Sequence, residues 1–141
     1  MSTESTKASV RAFFESIDAA QNMSPLDTLA SPGYVAHFSG APDMNREGMK
    51  GFGNVFFAAC PGLRHRVEQL VAEGDFVACR LVINGRQSQP FMMPSGTLPT
   101  SNKSFEMPVI NMFRFADGKV TEHWAAFDML GFLQQLGAIP A

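Results

Sequence analysis

The feature that most constrains this chain is a change of hydrophobic period at Pro61-Gly62. Before that point apolar residues recur at helical spacing. Val10, Phe13, Phe14, Ile17 and Ala20 fall at i, i+3, i+4 and i+7, which predicts a helix over Thr3–Gln21. Ser24-Pro25 is an N-cap and first-turn signal for a short helix over Pro25–Ala30, stopped by Ser31-Pro32-Gly33. Tyr34–Phe38 reads as a short extended piece, and Asn45 can cap a third helix reaching Ala59, with Met49, Phe52, Phe56 and Phe57 as its apolar stripe. After Pro61-Gly62 the pattern alternates. His65, Val67, Gln69 and Val71 take one side and Arg64, Arg66, Glu68 and Leu70 the other, and Glu73-Gly74-Asp75 is a hairpin turn into Phe76–Asn84. Gly85–Ser104, with three prolines, reads as a long loop. Phe105–Phe115 and Lys119–Asp128 form a second hairpin across Asp117-Gly118, and Asp128 can cap a last helix over Met129–Leu136 that Gly137 stops.

Helices grouped ahead of hairpin-linked strands predict an α+β fold, in which a curved antiparallel sheet and N-terminal helices form a cone around an apolar pocket. A chain of 141 residues with 45% hydrophobic content suits a single domain over residues 1–141. The net charge of -2 gives no basic surplus for phosphates, so nucleic acid is not the expected partner. No signal peptide is evident, and charges, Gly or Pro interrupt every apolar run, so no membrane span is expected. Cys60 and Cys79 read as buried apolar residues in a reducing cytoplasm.

Few residues are placed to carry chemistry. Asp128 stands among Trp124, Phe127, Met129 and Leu130, and burial there would tune a carboxyl toward acid/base work; it is also the natural N-cap of the last helix, and the two roles can coexist. His37, near Tyr34 where the helical half meets the sheet, is either a structural histidine or a proton shuttle. His65, between two arginines, reads as a surface residue. His123 alternates away from Trp124 and Asp128 and reads as facing solvent or another subunit. Arg80 and Arg114 each interrupt an apolar strand and must be paired or face water. Met92, Met93, Met107 and Met112 are either pocket lining or core filler. No histidine and carboxylate cluster has metal-ligand spacing, and neither a phosphate-binding glycine loop nor a nucleophile elbow appears, so no metal or cofactor is expected.

Gly74-Asp75-Phe76-Val77-Ala78-Cys79-Arg80, Pro99-Thr100, Phe113 to Val120, Trp124 to Asp128 and Gln134-Gln135-Leu136-Gly137, in this order, resemble the SnoaL-like polyketide cyclase family. The resemblance runs from Tyr34 to Pro140. It implies the cone shared with nuclear transport factor 2, scytalone dehydratase and ketosteroid isomerase, assembled as dimers or tetramers. It also implies ring closure by intramolecular aldol condensation without metal or organic cofactor, with Asp128 matching the family's acid/base. Asn84-Gly85-Arg86-Gln87 stands where many members carry Gly-Thr-His, so the pocket rim departs from the pattern. The expectation is therefore a cofactor-independent enzyme acting on a small, largely apolar carbonyl compound. Asp128 and His37 would be catalytic, and Arg80, Trp124, Tyr34, Phe52, Phe56, Met92 and Met112 would contact substrate. The rival readings are a non-catalytic ligand-binding or dimerisation module, and an epoxide hydrolase or isomerase on the same fold.

Overall fold

The computed structural model describes residues 2–93 and 95–141. Helix α1 spans Thr3–Ala20; Ser2 caps it by accepting from the Ser5 N–H, and Gln21 ends it in the left-handed conformation at φ 55°. Its stripe of Val10, Phe13, Phe14 and Ile17 is buried, as the helical spacing requires. A four-residue helix α2 (Leu26–Leu29) leads directly into strand β1 (Ala30–Phe38), which begins earlier than the Ser31-Pro32-Gly33 signal suggested. A two-residue strand β2 (Met44–Asn45) precedes α3 (Arg46–Ala59), where the Asn45 side chain accepts from the Gly48 N–H.

The long strands follow: β3 (Arg64–Glu73) and β4 (Phe76–Arg86) form the first hairpin, and β7 (Ser104–Ala116) and β8 (Lys119–Phe127) the second. Between them, the stretch expected to be a loop holds a small hairpin of β5 (Phe91–Met93) and β6 (Gly96–Leu98). Gln87 fixes the base of that excursion. Its side chain is fully buried, donating to the Pro99 carbonyl at 3.0 Å and accepting from the Ser101 N–H at 3.2 Å. Helix α4 (Met129–Gln135) closes the chain.

The main sheet has six strands in the order β2-β1-β8-β7-β4-β3. It is not purely antiparallel, because β1 pairs parallel with β8, placing His37 opposite Trp124. The returning chain reaches β8 from the far edge, a topology that hairpin signals cannot reveal. One face is buried beneath α1 and α3. Its rows are Tyr34, Ala36 and Phe38 on β1, Val77, Cys79, Leu81 and Ile83 on β4, and Phe105, Met107, Val109, Asn111, Phe113 and Phe115 on β7. The opposite face presents Phe76, Arg80, Ile110, Met112, Arg114 and Trp124 outward.

Two bulges decide which residues reach the inside. The β3–β4 register shifts between Val67 and Gln69, so His65 and Val67 point inward, followed by Leu70 and Ala72 rather than Gln69 and Val71. The β7–β8 register shifts between Arg114 and Phe115, and β8 buries Val120, then His123 and Ala125. Among the described residues no helix is long and apolar enough to cross a membrane. Cys60 and Cys79 are free and buried, and burial pushes their thiols up to about 12 and about 11.

Candidate active site

Between the helices and the inner face lies a narrow apolar cavity of ≈ 60 Å³, room for a few water molecules. Helix α1 contributes Phe13 and Phe14, α3 contributes Phe52, Phe56 and Phe57, and β1 contributes Phe38. Among the lining residues only His65, Asn111 and His123 carry polar side chains.

His65 is held by Asp18. The carboxylate takes the His65 backbone N–H on one oxygen at 2.8 Å and the ring Nδ1 on the other at 2.7 Å. An ionised carboxylate only accepts, so the contact with Asp18 fixes a proton on Nδ1 and leaves Nε2 as the ring nitrogen that Asp18 does not hold. Nε2 has no hydrogen-bond partner among the described residues, and His65 is one of the residues that line the cavity. Phe14 and Phe57 flank the ring at 5.2 and 6.1 Å between centroids. A histidine with one nitrogen oriented by a carboxylate and the other free is the arrangement of a general base.

His123 is in a different condition. It is buried, stacked on Phe113 at 4.1 Å between centroids, with the Phe38 ring edge-on at 4.9 Å. Both nitrogens are engaged: Nδ1 lies 3.1 Å from the Tyr34 hydroxyl and Nε2 2.9 Å from Asn111 Oδ1. The direction of this chain is set at its far end. The Cys79 carbonyl can only accept, so Asn111 turns Nδ2 toward it at 3.3 Å and Oδ1 toward His123. His123 must then donate from Nε2 and accept the Tyr34 O–H on Nδ1. Burial pushes its pKa down to about 3, so His123 stays neutral, and it pushes the Tyr34 phenol well above the ordinary range.

The residues expected to line the pocket are scattered. Phe52 and Phe56 do line it. Tyr34 is buried behind His123 and reaches the site only through its hydroxyl. Asp128 does not line the cavity. Strand β8 ends at Phe127, and Asp128 turns its carboxylate to accept the Gly131 N–H at 3.0 Å as the N-cap of α4. The capping reading of Asp128 is the one its geometry realises; the pocket-wall placement is corrected. In strand alternation it would also follow Trp124 and Ala126, which face away from the cavity.

His37 is on the outer face as well, because Tyr34, Ala36 and Phe38 take the inner positions of β1. It stacks on Trp124 at 5.4 Å and bridges two carboxylates, Asp43 to Nδ1 at 3.0 Å and Glu122 to Nε2 at 2.8 Å. The Glu122 and Asp43 hydrogen bonds raise its pKa, while His37, with Arg114, lowers that of Glu122. Arg80 and Met112 alternate outward with the exposed rows of β4 and β7, and Met92 is 65% exposed on β5. None of these four reaches the cavity. The expectations for His65 and His123 are likewise overturned: both turn inward, His65 with Val67 between two arginines that face outward, and His123 with Ala125 because it is the Trp124 side of β8 that faces away from the cavity.

Asp18, His65, Asn111 and His123 are the site residues that reading for Asp128 and His37 passed over. Signals for two of them were present: Asp18 lies four residues after Phe14 on the buried stripe of α1, and Asn111 interrupts the apolar row Met107, Val109, Phe113, Phe115. Among the described residues no group of three or more His, Cys, Asp or Glu could hold a metal ion.

A mixed sheet curved around an apolar cavity, closed by helices, places the protein in the nuclear transport factor 2-like class of folds. Within that class, residues 8–136 match the sequence profile of the SnoaL-like polyketide cyclases, and the chain belongs to that family. No curated protein sequence matches it. Among solved structures it is similar to TsrD from Streptomyces laurentii, with 31% identity, a TM-score of 0.75, and coverage of 94% of this chain and 98% of that one. It is similar to wild-type IdmH from Streptomyces antibioticus, with 29% identity, a TM-score of 0.76, and coverage of 92% and 96%. A SnoaL-like protein of Jannaschia sp. CCS1 superposes with a TM-score of 0.82 at 25% identity, covering 98% of this chain and 95% of that one.

Proposed function

We propose that this chain is a cofactor-independent acid/base enzyme acting on a small, largely apolar carbonyl compound, by intramolecular aldol cyclisation or a related isomerisation or hydration. The observation that carries this reading is the free Nε2 of His65, oriented by Asp18, at the wall of an aromatic cavity. A carbon flanked by carbonyls loses its proton to a neutral imidazole; the electron pair passes into an enolate, which attacks a second carbonyl of the same molecule. The new alkoxide recovers a proton from the imidazolium, so the base is regenerated and no redox partner is needed. Asp18 keeps Nδ1 protonated and stabilises the imidazolium between the two steps. This moves the acid/base role from Asp128 to His65. The reading is supported by IdmH being named as a candidate polyketide cyclase.

The test is solvent deuterium exchange at the activated carbon of β-tetralone, followed by proton NMR. The wild-type protein should accelerate exchange, and His65→Gln should lose about 10²- to 10⁴-fold of that acceleration. Equal exchange by both proteins would remove His65 from the role.

The non-catalytic binding module is the second reading, and the small cavity volume favours it, since a cyclisation substrate must displace aromatic side chains to enter. Under either reading the expected assembly is a homodimer through the outer sheet face. There Phe76, Ile110 and Met112 are exposed beside Arg80 and Arg114 on one hand and Glu122 and Asp43 on the other, a self-complementary set. Sedimentation of Ile110→Glu should show monomer where the wild-type protein is a dimer. Free thiols at Cys60 and Cys79 suit a reducing cytoplasm.

A further inference from the structure

Asn111 has a donor that the fold does not use. It is 3% exposed, sits in an otherwise apolar inner row of β7, and lines the cavity. Its amide carries two N–H groups, and one of them is spent on the Cys79 carbonyl. The other has no protein partner among the described residues. Nor can the amide turn over: a flipped Asn111 would set its NH₂ against the His123 Nε2–H and its oxygen against a carbonyl. The Cys79 carbonyl and His123 therefore lock the amide, and a locked donor in an apolar wall needs no reorganisation when charge forms in front of it.

We propose that Asn111 is a catalytic residue, its second N–H donating to the carbonyl oxygen of the substrate and to the enolate oxygen formed as His65 removes the neighbouring proton. The proposal rests on the reading of His65 as base. It also names the substrate class. Among the described residues no lysine or arginine lines the cavity, so a carboxylate or phosphate ester would be buried without a counter-charge. The ligand is a neutral, planar carbonyl compound whose body lies among Phe13, Phe14, Phe38, Phe52, Phe56 and Phe57. The proton moves from carbon to His65 Nε2, the C–H electron pair becomes the enolate, and its charge rests on the oxygen facing Asn111.

Para-nitrophenol separates the two roles, because it is planar and neutral, gives its proton to a base, and becomes coloured as the oxyanion. The full-length protein is titrated below the phenol's own pKa, reading phenolate absorbance with binding heat alongside. The wild-type protein should generate the bound phenolate. Asn111→Asp keeps the acceptor for His123 and nearly the same shape but loses the donor; it should lower phenolate uptake about tenfold or more. Asn111→Ala should do the same, and where it does not fold, Asn111→Asp decides. His65→Gln should fail to generate the anion yet still bind the neutral phenol, read as binding heat without phenolate absorbance. Unchanged phenolate uptake in Asn111→Asp, or no uptake by the wild-type protein, overturns the proposal. If His65→Gln still ionises the neutral phenol while Asn111→Asp does not, the base assignment fails and the donor assignment stands.

Discussion

His65 inside the cone and His37 on its outer face each meet a carboxylate at nearly the same distance, 2.7 Å to Asp18 and 2.8 Å to Glu122. Their chemistry differs because of the other nitrogen. His37 has a second carboxylate, Asp43, on Nδ1, and a ring that satisfies two anions must carry two protons. It is held as a cation on the face of Trp124. The second nitrogen of His65 meets no protein group among the described residues. His123 completes the contrast, with both nitrogens engaged by neutral partners and no charge at all. Proximity of a histidine to a carboxylate thus says little about function. The partner of the second nitrogen decides it.

The strongest way to break this comparison is to exchange the fates of the two faces. His65→Gln should cost about 10²- to 10⁴-fold in deuterium exchange on β-tetralone, whereas His37→Gln should leave exchange within about threefold of wild type. A large loss in His37→Gln would dissolve the distinction. Next in size is His123→Phe, which keeps the stack on Phe113 but strands the Tyr34 hydroxyl and the Asn111 carbonyl oxygen. Urea unfolding should show a loss of about 1–3 kcal/mol for each stranded group.

The same histidine gives the inner face an acid sensitivity. Its folded pKa is depressed to about 3, so its contribution is fully present above the ordinary histidine range and is lost as pH falls toward the folded value. Unfolding midpoints measured from neutral pH downward should decline in wild type, and less so in His123→Phe.

Asp128→Ala should remove about 1 kcal/mol through the lost cap of α4, seen as faster amide hydrogen exchange in that helix, with β-tetralone exchange nearly unchanged. Loss of catalysis without loss of the cap would return Asp128 to the reaction. The smallest effect belongs to Glu122→Gln. His37 is raised, so its contribution is present below the ordinary histidine pKa and lost as pH rises through the raised value. Glu122 is lowered, so its contribution is present above the ordinary carboxylate pKa and lost as pH falls through the lowered one. Thermal melts should show the wild-type advantage over Glu122→Gln greatest between those limits, and fading with salt.

Much of the fold was legible because its signals are local. The stripe of α1, the Asn45 and Asp128 caps and both hairpin turns each lie within a few residues of the structure they specify. The parallel pairing of β1 with β8 was not, since it joins residues 87 or more apart and no turn announces it. Phe52 and Phe56 were found from helical spacing. His65 was missed because its arginine neighbours, which do face outward, masked its own parity, and His123 because the pocket lies on the other side of β8 from Trp124. Asp128 was overvalued for its aromatic neighbours: Phe127 does face the cavity, but the next residue leaves the strand.

The bulge in β3 has a consequence for how this site can change over time. Without it, residues 64–67 and 70–72 would share one parity, and any insertion or deletion on either side would turn the whole strand over. With the unpaired residue between them, the two halves are phased separately: Leu70 and Ala72 keep the core while the segment carrying His65 can be lengthened, shortened or rewritten. The strand thus holds two separately phased frames in a single stretch of backbone, and the one that carries His65 borders the cavity.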